Sequence, residues 1–122
     1  MNPDRYARGL ARQAEVGGHR PAAYDALTDL APDLARFATE FAYGDIHARP
    51  GLDASRREIV IVAVLVAQGG VDKSLRAHLS AALTAGVSPA QLAEVILQTL
   101  PYVGFPRAFA AMLLLHDVVA PT

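Results

Sequence analysis

The sequence predicts an all-α protein of about six to seven helices, and three observations predict it. Apolar residues make up 52% of the 122 positions against 19% charged, enough to build a hydrophobic core at this length. Glycine and proline divide the chain into segments of helix length rather than strand length. One boundary, Ser88-Pro89-Ala90-Gln91, reads as a capping box with proline at the first helical position. With no internal repeat, linker or low-complexity stretch, residues 1–122 read as one domain.

Each element follows from its punctuation. Pro3 to Val16 is a first helix closed by Gly17-Gly18, Pro21 to about Leu30 a short second, and Pro32 opens a third that runs toward Tyr43-Gly44. The stretch from Asp45 to Leu52, with its Pro50-Gly51 pair and the cationic candidates His47 and Arg49, reads as the most distinctive loop. Asp53 or Ser55 caps a fourth helix containing Ile59 to Ala67. That run is rich in β-branched residues, which favour strands. It lies in a helix-length segment with no convincing strand to pair with, so we read it as the central helix, apolar and buried all round.

Gly69-Gly70 breaks the chain, Asp72 starts a fifth helix ending at Gly86, and the capping box opens a sixth that continues to Leu100. Val87 and Leu92 are placed around that box as a hydrophobic staple. Pro101 and Gly104-Phe105-Pro106 then kink the chain into a last helix, Arg107 to Val119.

Composition also excludes functions. The formal net charge is −1, from 11 basic and 12 acidic side chains scattered without blocks, so nothing suggests a nucleic-acid partner. The longest apolar runs, Ile59 to Ala67 and Ala108 to Leu115, fall short of the roughly 18 residues of a membrane span. No apolar segment follows a basic one at the N-terminus, so the expected location is cytoplasmic. Zero cysteines exclude disulfides and thiolate chemistry. The apolar surplus predicts that other subunits cover part of the surface.

Four histidines are present: His19, His47, His78 and His116. No two have metal-ligand spacing on one helix, so no metal site is expected. His78 shares a helical face with Leu75, Leu79 and Ala82, which puts an imidazole on an apolar stripe. It is either a hydrogen-bonded core residue or a general acid or base tuned near neutral pH. Glu58 stands at the entrance of the apolar helix. It completes a capping-box pattern with Ser55, or it points inward to orient His78 or hold a proton. Arg49, Arg76 and Arg107 are the candidate anion binders, because guanidinium groups grip carboxylates bidentately. Arg49 lies in the Pro-Gly loop and Arg76 two residues before His78. His116, Phe37, Phe41 and Tyr43 read as structural, as does Tyr102 unless its hydroxyl reaches a site.

Several segments together carry a resemblance. The stretch Phe41 to Leu52, then Leu75-Arg76-Ala77-His78, Ala81 to Val87 and Ala93 to Gln98, with Arg5 to Leu10 near the N-terminus, resembles the carboxymuconolactone decarboxylase family over almost the whole chain. The resemblance implies an all-α fold assembled into rings, commonly homotrimers or homohexamers, with the pocket near subunit contacts. One branch of the family, the alkylhydroperoxidase D type, uses a Cys-x-x-Cys pair between a glutamate and a histidine. Glu58 and His78 match the flanking pair, but Gly70 and Lys73 stand near the cysteine positions, so thiol peroxidase chemistry is excluded.

The other branch decarboxylates 4-carboxymuconolactone to an enol-lactone in aromatic (β-ketoadipate) catabolism, without a cofactor. By that resemblance His78 donates the proton, Glu58 orients or relays, and Arg49 and Arg76, with His47 and Tyr102, bind a small acidic or lactone substrate. Two departures bear on the substrate. His47 stands where the decarboxylases typically have tryptophan, and Phe105-Pro106-Arg107-Ala108-Phe109 is bulkier and more basic than the small-residue segment usual there. An isomerase or cyclase using His78 on the same scaffold in a biosynthetic pathway, and a non-catalytic ligand-binding or assembly protein, are the alternative readings.

Overall fold

A computed structural model describes residues 3–17 and 26–120. It contains α1 (Pro3–Val16), α2 (Leu34–Phe37) continuing into a π-helical segment (Ala38–His47), α3 (Ala54–Gln68), α4 (Asp72–Thr84), α5 (Pro89–Val103) and α6 (Phe105–Val119). No strand occurs among the described residues. No described helix is long and apolar enough to cross a membrane. The chain divides into two compact units, Met1–Leu52 and Asp53–Thr122.

In the first unit α1 packs on the π-helical segment at backbone contact. A Cβ on Gly9 would lie 1.9 Å from the Thr39 carbonyl oxygen, and one on Gly44 would lie 2.4 Å from that of Arg5. Only glycine permits this approach. Polar groups close the rest. Arg5 grips Asp45 with Nε at 3.0 Å and Nη2 at 2.6 Å, Arg8 Nε donates to the Gly44 carbonyl at 2.7 Å, and Thr39 Oγ1 donates to Gln13 Oε1 at 3.2 Å. The Arg5 hydrogen bond pulls the Asp45 carboxyl below its ordinary range.

This packing corrects the expected loop. Asp45, Ile46 and His47 are helical, and the Ala48 amide bonds the Tyr43 carbonyl at 3.0 Å, the five-residue step of a π-helix. The irregular chain begins only at Ala48. Of the expected second helix, residues 21–25 lie outside the described residues, and Leu27 to Leu30 form turns in which the Leu30 and Ala31 amides share the Leu27 carbonyl.

The second unit is a four-helix core. Asp53, not Ser55, caps α3, its side chain accepting from the Arg56 amide at 3.0 Å. Val62 and Val66 of α3 meet Leu75, Leu79 and Ala82 of α4, Leu92 and Ile96 of α5, and Ala108, Ala111 and Leu115 of α6. α3 touches all three of the others, so it is central to this unit. It is not buried all round, because Val60 and Val64 on its far side are more than half exposed.

The capping box of α5 forms in full. Ser88 Oγ accepts from the Gln91 amide and Gln91 Oε1 from the Ser88 amide, with Val87 and Leu92 buried beside it. α5 does not end at Leu100. It carries Pro101 within its last turn and stops at Gly104, whose φ of 88° only glycine adopts readily. α6 therefore starts at Phe105 rather than Arg107.

Candidate active site

Glu58 lies one turn inside α3 and is 0% exposed. Its position rules out the capping-box role with Ser55, since Asp53 already caps the helix. The Asp53 carboxyl is held low chiefly by the Arg56 backbone N–H. Freed from the helix end, Glu58 faces α4, where its Oε2 lies 2.9 Å from His78 Nδ1. His78 shares the α4 face of Leu75, Leu79 and Ala82, which are buried, but its own side chain is 22% exposed. A sealed carboxylate thus stands behind an imidazole that reaches the outside.

Chemically the arrangement fixes a ring and a tautomer. An ionised Glu58 accepts from Nδ1–H, leaving Nε2 to exchange a proton with a bound molecule. The pair can therefore work as a general acid or base.

The other predicted binding residues are placed differently. Arg76 lies on α4 but is exposed and pairs with Asp117 of α6. Residues two apart on a helix point to different faces, so Arg76 does not stand beside His78. Tyr102 is 83% exposed and borders an apolar groove of about 510 Å³ between α3 and α5, lined also by Ile59, Ala63, Val95 and Val103. His47 and Arg49 belong to the first unit. His47 is 4% exposed there, accepts from Arg12 Nε at 3.0 Å through Nδ1, and stacks on Tyr43 with ring centroids 5.4 Å apart. Arg49 follows the π-helical segment with an exposed side chain, its amide bonded to the Ile46 carbonyl at 3.1 Å.

A second cavity, of about 360 Å³, opens at the junction of α3, α4 and α6, with Arg107 on its wall. Neither cavity is lined by Glu58 or His78. Arg107 was legible in the sequence only as one arginine among several. The signal that could have singled it out is the pairing of a Gly-Gly helix end with a Pro-Arg helix start. Phe37 and Phe41, expected to be structural, are more than half exposed. His116 is exposed on α6, and His19 lies outside the described residues. Among the described residues no three histidine, aspartate or glutamate side chains converge to hold a metal ion.

The family model of the carboxymuconolactone decarboxylase family matches residues 32–117. The chain is 39% identical over 121 residues to a 4-carboxymuconolactone decarboxylase of Acinetobacter baylyi, covering 97% of this chain and 90% of that one. It is 28% identical over 81 residues to a nitrosuccinic acid decarboxylase of Metarhizium robertsii, covering 66% and 56%. An uncharacterised 15.0 kDa protein of Paracoccus denitrificans is 29% identical over 96 residues, covering 78% and 72%.

Proposed function

The chain belongs to the carboxymuconolactone decarboxylase family, and from that premise we propose that it is a carbon–carbon lyase that decarboxylates 4-carboxymuconolactone or a similar small carboxylated lactone. The observation that carries this reading is the buried Glu58 held 2.9 Å from the partly open His78, in a chain whose named relatives are decarboxylases. The reaction breaks the bond between the carboxyl carbon and the ring. Its electron pair stays on the ring carbon and spreads into the conjugated lactone carbonyl as carbon dioxide leaves. Protonation at carbon then ends the reaction, and that proton comes from Nε2–H of the His78 imidazolium. Solvent returns it afterwards, so acid and substrate balance without an external oxidant or reductant.

His78 is the catalytic residue in this scheme and Glu58 a positioning residue. Glu58 supports the reading by its burial: a carboxylate out of water acts on its partner with little solvent screening. Cationic donors can stabilise the enolate-like charge as it develops, and Arg49 is a candidate for that task. His47 and Tyr102 stay in the proposal as substrate contacts, and Arg76 could serve only by leaving Asp117.

A ring of three or six copies and a cytoplasmic setting complete the reading. Support for the ring comes from two apolar stripes at helical spacing in the second unit, Phe105-Phe109-Leu113 on α6 and Val60-Val64 on α3, all more than half exposed. Such stripes favour coverage by further subunits. The test of the function is an ultraviolet assay for loss of 4-carboxymuconolactone by wild type and His78→Ala. Turnover that disappears in the folded variant supports the assignment. A folded wild type that leaves the lactone untouched overturns this substrate.

A further inference from the structure

The cavity of about 360 Å³ opens where the C-terminus of α3 meets the first turns of α4 and α6, and Gln68, Gly69, Asp72, Leu75 and Arg107 line it. The Arg107 side chain lies flat across Gly69. A Cβ there would fall 2.7 Å from Arg107 Nε and 3.3 Å from its Cδ, and Gly69 itself has a φ of 70°. Glycine suits the turn that ends α3, and its missing Cβ leaves room for the guanidinium to lie close. Arg56 and Arg76 of the same unit are paired with Asp53 and Asp117. Arg107 forms no ion pair with any described residue, and Asp72, which also lines the cavity, lies out of ion-pair reach.

A guanidinium on a cavity wall with no ion-pair partner among the described residues can receive a carboxylate bidentately. We propose that this cavity binds a small organic acid, with Arg107 gripping the carboxylate that the substrate keeps after decarboxylation. This rests on the reading of the chain as a decarboxylase of a small carboxylated lactone. Asp72 also lines the cavity and repels a carboxylate, so the charged end of the acid settles on Arg107. Leu75, on the wall, precedes His78 by three residues on the same α4 face, a rise of about 4.5 Å along the helix. Arg107 is a specificity-determining residue in this scheme: it selects substrates with a second carboxylate.

The experiment titrates succinate into isotope-labelled wild type, Arg107→Met and Arg107→Lys, reading the Gly69 and Gly70 amide resonances, and measures lactone turnover in parallel. Arg107 is exposed on a first helical turn, so both variants should fold, and thermal melts check this. We expect succinate to shift both glycines in wild type. Binding should weaken about 10- to 100-fold in Arg107→Met, with KM rising by a similar factor and kcat changing less. Arg107→Lys, which keeps the charge but loses the fork, falls between. Glycine resonances that ignore succinate, or an Arg107→Met that binds it as wild type does, overturn the proposal. If wild type does not consume the lactone, the functional reading fails, while the succinate titration still decides the role of Arg107.

Discussion

Glu58 and His78 sit 2.9 Å apart on α3 and α4 in contrasting surroundings, the carboxylate fully enclosed and the imidazole open on one side. That asymmetry makes the pair directional. In the proposed reaction protons exchange on the histidine side, and the enclosed glutamate orients the ring from behind.

Removing His78 should therefore harm both activity and stability, and the two effects can be separated. His78→Ala removes from the buried Glu58 carboxylate the partner 2.9 Å away, which costs about 1–3 kcal/mol, and turnover should fall by about 10²- to 10⁴-fold. Glu58→Gln keeps the shape and removes the charge. It should lower kcat with little change in KM, as expected of a positioning residue. The double variant should be more stable than His78→Ala alone, since no buried charge remains. Thermal melts that rank the double variant below the single one would contradict a charged Glu58.

Gly9 and Gly17 offer a matched pair in the first unit. A Cβ on Gly9 meets the Thr39 backbone, whereas one on Gly17 meets nothing within 4 Å. Gly9→Ala should push α1 off the π-helical segment and destabilise that packing by about 1–3 kcal/mol or more. Gly17→Ala should be near neutral. Hydrogen exchange across α1 reads the difference, and equal protection in both variants refutes the close-approach account.

Asp45 gives the first unit an acid limit. Its carboxyl is held below the ordinary value of 3.8, foremost by the hydrogen bond from Arg5. A carboxyl whose pKa is lower folded than unfolded contributes stability above the unfolded value, and that contribution is lost as pH falls through the folded one. Asp45→Asn should thus be less stable than wild type at neutral pH, with the gap closing below about pH 4. A gap that persists into strong acid would show that packing, not ionisation, holds Asp45.

The exposed stripe on α6 predicts assembly. Light scattering should give three or six times the 12.9 kDa of one chain, and Leu113→Lys should lower that mass. A wild type that is monomeric at micromolar concentration contradicts the ring.

The sequence by itself determined the helical class and most of its boundaries. Signals such as the Ser88 capping box and the Gly69 and Gly104 breaks are local, acting through the φ angles and hydrogen bonds of a few neighbouring residues. It also singled out His78, because a histidine on an apolar helical face is visible from spacing alone. What only the tertiary structure decided depends on residues far apart in the chain. His78 is twenty residues from Glu58, and local pattern left Glu58 between a helix cap and an inward role beside that histidine. Arg5 and Arg8, some forty residues from Asp45, draw the expected loop into a π-helix. Pro101 stays helical because it falls within a last turn packed on α6. Arg76 looked free beside His78 until α6 brought Asp117 to it, and Arg107 gained its cavity only when α3 and α6 met. Helix ends are fixed by short-range chemistry, whereas the pairing of charges is fixed by which helices pack together.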